Sequence, residues 1–140
     1  MVCYFGTIEN STMNLNDIGK IVHAEWLKTF GIRPDMNLGM CEFVVMPNHF
    51  HAIIIIGDNK YNTVGSDEVA NKFGKQSANL ATIIRGFKAA VTRKAKLYNP
   101  DFEWQPLYHD HIIRTAESFE NISNYIICNP ENWENDRFFP

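Results

Sequence analysis

Val44-Val45-Met46-Pro47-Asn48-His49-Phe50-His51-Ala52-Ile53-Ile54-Ile55-Ile56 decides how this chain is read. The β-branched apolar run after Asn48 predicts a buried strand. Pro47-Asn48 makes a tight connection, so residues 38–46 are predicted to fold back on it as an antiparallel hairpin. Side chains alternate across a strand, which puts His49, His51, Ile53 and Ile55 on one face. Phe50, Ala52, Ile54 and Ile56 take the other. Both faces are apolar, so the strand is predicted to be central or covered on both sides. Two imidazoles on one rigid face form a two-nitrogen claw suited to a metal ion, although a pair of strand histidines with no ligand fits the spacing equally well.

A second signal lies far downstream in Asn124-Tyr125-Ile126-Ile127-Cys128-Asn129-Pro130. A helical pattern ends at Asn-Pro, because proline cannot continue a helix. Tyr125 and Asn129 are four residues apart and share a helical face. Taken alone, this is a core tyrosine beside a C-capping asparagine. His109 and His111 form a rival pair with strand spacing. Asp110 between them marks a solvated face or strand edge, so His49 and His51 are the better claw.

The rest of the chain supplies a frame. Residues 2–15 read as a short hairpin with Asn10-Ser11 at its turn. Asn16 or Asn14 is placed to cap a helix running to about Phe30, with Gly31 and Pro34 ending it. Residues 57–78 are polar and aperiodic and read as a long mobile loop. Residues 80–98 form an amphipathic pattern with Leu80, Ile84, Phe87, Val91 and Tyr98 buried. A strand is predicted over 104–114, a helix over 117–129, and a loosely packed tail over 130–140. Trp104 suits a core or edge position better than a base-stacking one.

At 140 residues the chain is read as one domain, 1–140, with enough length for a substantial core. Its 45% hydrophobic and 21% charged residues are ordinary for a soluble globular protein. No apolar stretch is long enough to span a membrane, and no signal peptide is expected. Cys3, Cys41 and Cys128 are odd in number with no paired spacing, which points to reduced thiols and a cytoplasmic protein. The net charge of −3 is unlike that of a typical nucleic-acid binder. The asymmetry is local, however: Arg85 to Lys96 contains five basic residues and no acidic one.

Several stretches together resemble the single-tyrosine HUH transposases, named for His, hydrophobic, His, and within them the REP-associated tyrosine transposases. They are Phe43 to His51, Ile83-Ile84-Arg85-Gly86-Phe87-Lys88, Trp104-Gln105, His111-Ile112-Ile113-Arg114 and Tyr125 to Pro130. Leu15 to Gly19 and Glu25-Trp26-Leu27 fit as well. The resemblance covers nearly the whole chain and keeps the motif order. It implies a ferredoxin-like or RRM-like α+β fold with an antiparallel sheet and helices on one face. It further implies His49 and His51 as metal ligands, Asn129 as a third, Tyr125 as nucleophile, and Mg²⁺ or Mn²⁺ as the metal. Members of that family usually carry one more strand before the point where this sequence begins. Its lack here is expected to leave a sheet slot that a second copy fills by strand exchange in a homodimer.

The implied reaction cuts and rejoins DNA through a 5′-phosphotyrosine link and a free 3′-hydroxyl. The expected target is single-stranded DNA or a hairpin tip, since a stiff duplex resists bending into such a site. Arg85, Lys88, Arg114 and His111 are the expected DNA contacts. Imidazole-rich coordination would also admit Zn²⁺ or Ni²⁺. Two other readings stand beside this one. In the first, a catalytically silent or truncated descendant only binds nucleic acid. In the second, a metal-dependent hydrolase acts on small phosphates, but the chain lacks the carboxylate clusters of two-metal phosphatases.

Overall fold

The computed structural model describes residues 2–62 and 72–140, without the side chains of 72–78. Two antiparallel hairpins open and centre the fold. The first joins β1 (Gly6–Glu9) to β2 (Thr12–Leu15). Its turn residues Asn10 and Ser11 have φ of 50° and 62°. These left-handed angles suit the twist of a two-residue hairpin, and asparagine tolerates them. Asn16 then caps α1 (Asp17–Ile32), its Oδ1 accepting from the amide of Gly19 at 2.9 Å.

The second hairpin pairs β3 (Leu38–Val45) with β4 (Phe50–Ile56), with Val44 opposite His51 and Val45 opposite Phe50. A bulge interrupts the ladder between Met40 and Phe43. The amide of Met46 closes the turn by donating to the carbonyl of His49 at 2.9 Å. The amide of Phe5 donates to the carbonyl of Pro47 at 2.9 Å, which ties the N-terminal segment to that turn.

Helix α2 (Lys72–Ala95) and helix α3 (Ala116–Ile127) complete the set. On one face of β4, Phe50 packs edge-on against Trp26 of α1 and lies beside Phe87 of α2. Trp26, Val22, Phe87, Val91 and Phe102 form the centre of this core. On the other face, His51 meets Tyr125 of α3. The fold is thus α+β, with the histidine end of β4 contacted on both faces.

Three expectations need correction. The helices do not share one face, because alternate residues of β4 touch α1 and α2 on one side and α3 on the other. Residues 104–114 form no strand, and the described residues give two separate two-stranded sheets. A trough of about 1180 Å³ separates this stretch from β4, so it has no ladder to join, and Leu107 there has a φ of 67°. The proposed loop over 57–78 is also much shorter, since the backbone is already helical at Lys72. Gly74 is outweighed there by the good helix formers around it. At the start of that span, residues 57–62 form a tight bonded turn. The buried Asn59 donates from Nδ2 to the carbonyl of Met36, and its Oδ1 accepts from the amide of Tyr61. Asn62, also buried, donates to the carbonyl of Gly57. Residues 63–71 lie outside the described residues.

Candidate functional site

Histidines 49 and 51 stand at the turn end of β4, their ring centroids 4.8 Å apart. Both are largely buried, and the Nε2 atom of each is buried with no hydrogen-bond partner among the described residues. The same holds for Oδ1 of Asn129, a residue only 3% exposed. Asn129 follows α3 and stands at the N-cap of the 3₁₀ turn after it, where its side chain makes no capping hydrogen bond. The C-cap of α3 is Cys128, one residue before the asparagine expected there. Buried polar atoms are almost always paired, so three unpaired ones in a single neighbourhood are a departure that a bound cation would explain.

Electrostatics keep the imidazoles neutral. Burial, reinforced by the neighbouring His51, pushes the pKa of His49 down to about 4. The carboxylate of Asp136 pulls it the other way, Arg137 lowers it further, and Asn129 raises it. His51 is also lowered, again first by burial, with Asp136 opposing. Neutral imidazole is the form that binds metal.

Tyr125 packs against the second of this pair, His51. Its ring is edge-on to that of His51 at 5.4 Å between centroids, and the residue is 52% exposed. Helix geometry places it there: Thr115 caps α3 by accepting from the amide of Ser118 at 3.0 Å, and buried Ile126 anchors the last turn.

The tail brings in residues that sequence reasoning missed. Residues Pro130–Asn135 form a 3₁₀ turn anchored by buried Trp133. Past it, Asp136 Oδ2 lies 3.8 Å from Nε2 of His49, and the ring of Phe138 sits 4.7 Å from that of His49. The only cue in the sequence was an acidic residue seven positions past Asn129, which no helical or strand period flags.

The expected DNA contacts divide. Arg85 and Arg114 are exposed, and His111 is exposed on the wall of the trough facing β4. Lys88 is engaged within the fold, donating to the carbonyls of Leu107 at 2.8 Å and Gln105 at 3.3 Å. Its ammonium also lies 5.8 Å from the Trp104 ring, and burial lowers its pKa. Trp104 packs among Phe5, Phe87 and Phe102, a core position. The rival pair His109 and His111 is exposed, and neither ring packs against Tyr125 as His51 does.

An uncharacterized protein of Haemophilus influenzae is 37% identical over 144 residues, spanning 98% of this chain and 78% of the relative. The chain belongs to that protein's family. No family model and no solved structure matches it. Among the described residues of this family member, no helix is long and apolar enough to cross a membrane.

Proposed function

We propose that this protein cuts and rejoins single-stranded or hairpin DNA, using Tyr125 as nucleophile beside a divalent metal held by His49, His51 and Asn129. One observation carries the reading: a half-exposed tyrosine packs edge-on against His51, and the outer nitrogens of His51 and its neighbour His49 are buried with no hydrogen-bond partner among the described residues. The α+β class agrees with the resemblance, while the two separate sheets and the helices on both faces of β4 depart from its ferredoxin-like form.

The donor set fits a divalent ion. It offers imidazole nitrogens, held neutral by burial, and an amide oxygen with no hydrogen-bond partner among the described residues. Such an ion, when bound, withdraws charge from a phosphate oxygen and lowers the barrier to attack. The Tyr125 oxygen forms a bond to phosphorus while the bond from phosphorus to the 3′ oxygen breaks. The phenolic proton passes to water at the exposed face, and the departing 3′ oxygen takes a proton from solvent. The resemblance, not the geometry, implies this polarity. In the reverse step the 3′-hydroxyl attacks the phosphotyrosine, the tyrosine leaves as a phenol, and the strand is resealed without ATP. Arg85, Arg114 and His111 are the solvent-facing groups proposed to hold the strand, with Lys88 bracing the 105–107 turn from behind.

The test uses labelled single strands bearing hairpins, incubated with the protein and Mn²⁺. A protein–DNA adduct that survives denaturing detergent is the expected product. Metal binding without an adduct on any substrate would leave the silent, nucleic-acid-binding reading in its place.

A further inference from the structure

Asn48 is held at both ends of its amide. Its Nδ2 donates to the carbonyl of Phe138 at 2.8 Å, which turns its Oδ1 toward Nδ1 of His49, also at 2.8 Å. An amide oxygen only accepts, so Nδ1 of His49 carries the proton and Nε2 carries the lone pair. That lone pair faces Oδ2 of Asp136 across 3.8 Å, with the two side chains 6% and 5% exposed. The gap is too long for a hydrogen bond. Two electron-rich atoms have therefore been buried face to face, an arrangement that costs energy unless a cation stands between them. Donors each about 2.1 Å from one small divalent ion lie no more than about 4.2 Å apart, so this gap is one an ion can bridge.

We propose that Asp136 is a fourth protein ligand, supplying the negative charge of a divalent cation site otherwise made of His49, His51 and Asn129. The inference rests on the metal-dependent reading above and deepens it. Among the described residues, no three His, Cys, Asp or Glu side chains already stand at metal-binding distances. The pairwise approach of Asp136 Oδ2 to His49 Nε2 therefore carries the proposal, with the carboxylate oriented through its Oδ1, which accepts from the amide of Phe138 at 2.7 Å. Arg137 beside it stacks on Phe138 at 4.6 Å and offsets part of the charge. A carboxylate is a hard donor, so it tilts the site toward Mg²⁺ and Mn²⁺ and away from the Zn²⁺ or Ni²⁺ that imidazoles alone favour.

The experiment is a titration of metal-free protein with Mn²⁺, followed by electron paramagnetic resonance and water proton relaxation, with a parallel Ni²⁺ titration by calorimetry. Wild type, His49→Ala, Asp136→Asn and Asp136→Glu are compared, with circular dichroism on each to check folding. Asp136→Asn should weaken Mn²⁺ by about tenfold or more, which is at least the effect of losing a supporting group. It should weaken Ni²⁺ less and raise the relaxivity of bound Mn²⁺ as water takes the vacated position. Asp136→Glu should recover part of the affinity. If His49→Ala abolishes binding while folded Asp136→Asn binds Mn²⁺ like wild type, the proposal is overturned and the metal reading stands. If wild type binds no Mn²⁺, both fall.

Discussion

Tyr125 and His51 meet edge to face, their planes 70° apart, across the seam between α3 and β4. The contact fixes the ring of the proposed nucleophile against the element that carries the histidines while leaving the residue half exposed. A positioned nucleophile needs such support, because small misplacements sharply lower rates.

Replacing the phenol therefore separates chemistry from folding. Tyr125→Phe keeps the ring against His51 and removes only the hydroxyl. It should abolish the detergent-stable adduct, leave Mn²⁺ affinity within about twofold, and change stability by less than about 0.5 kcal/mol, as for an exposed position. A surviving adduct, seen on a denaturing gel with labelled DNA, would assign the nucleophile elsewhere.

Asn48 joins the β3–β4 turn to the tail. Besides its side-chain bonds to Phe138 and His49, its carbonyl accepts from Nε2 of Gln105 at 3.1 Å. Asn48→Ala leaves a buried carbonyl and a buried ring N–H unpaired, which should cost about 1–3 kcal/mol in urea unfolding. It also frees the His49 tautomer, so metal affinity should fall with it, by about tenfold. Stability lost with affinity unchanged would show that the tautomer is set by something other than this amide.

The buried histidines set a pH dependence. His49 has a pKa near 4 in the fold and about 6.5 when the chain unfolds. The unfolded state therefore takes up a proton first as pH drops. The stabilising contribution is complete above about pH 6.5 and disappears as pH falls through 4. His51 is shifted in the same direction and adds to the loss. Urea midpoints at pH 7.5, 5.5 and 4.5 should decline in that order, and His49→Gln should flatten the decline. Equal midpoints across that range would contradict the neutral, buried state of both rings.

Trp26 holds the opposite face. It is 1% exposed and meets Phe30, Phe50 and Phe87 edge-on. Trp26→Ala should cost about 3–5 kcal/mol. Because Phe50 lies between the two histidines in sequence, the same change should loosen their spacing. Metal affinity measured at a temperature where the variant is still folded checks that link.

The hairpin was legible because the Ile53–Ile56 run and Pro47-Asn48 point the same way, and the Asn16 cap because side-chain chemistry announces it. The spacing of Tyr125 and Asn129 suggests one helical face, but α3 ends at Ile127, and Asn129 beyond it is buried while Tyr125 is half exposed. Asp136 was not legible, since an isolated carboxylate in an aperiodic tail gains its meaning only from where Trp133 and Phe138 pin the chain. The stretch 104–114 has strand-forming residues such as Ile112 and Ile113, but strand propensity yields no strand without a neighbouring edge. The turn at Asn59 and Asn62 was hidden for the opposite reason. Polar residues look like loop, yet these two are buried and bonded.

Of the described residues, only β3 pairs with β4, so the far side of β4 presents its amides and carbonyls to the trough. Ile55 there is 52% exposed, and no charge interrupts the isoleucines to discourage a newcomer. Such a margin is sticky toward any extended greasy peptide, including one from a neighbouring molecule. Slow turbidity in concentrated stocks is the expected outcome, and Ile55→Lys should keep the solution clear.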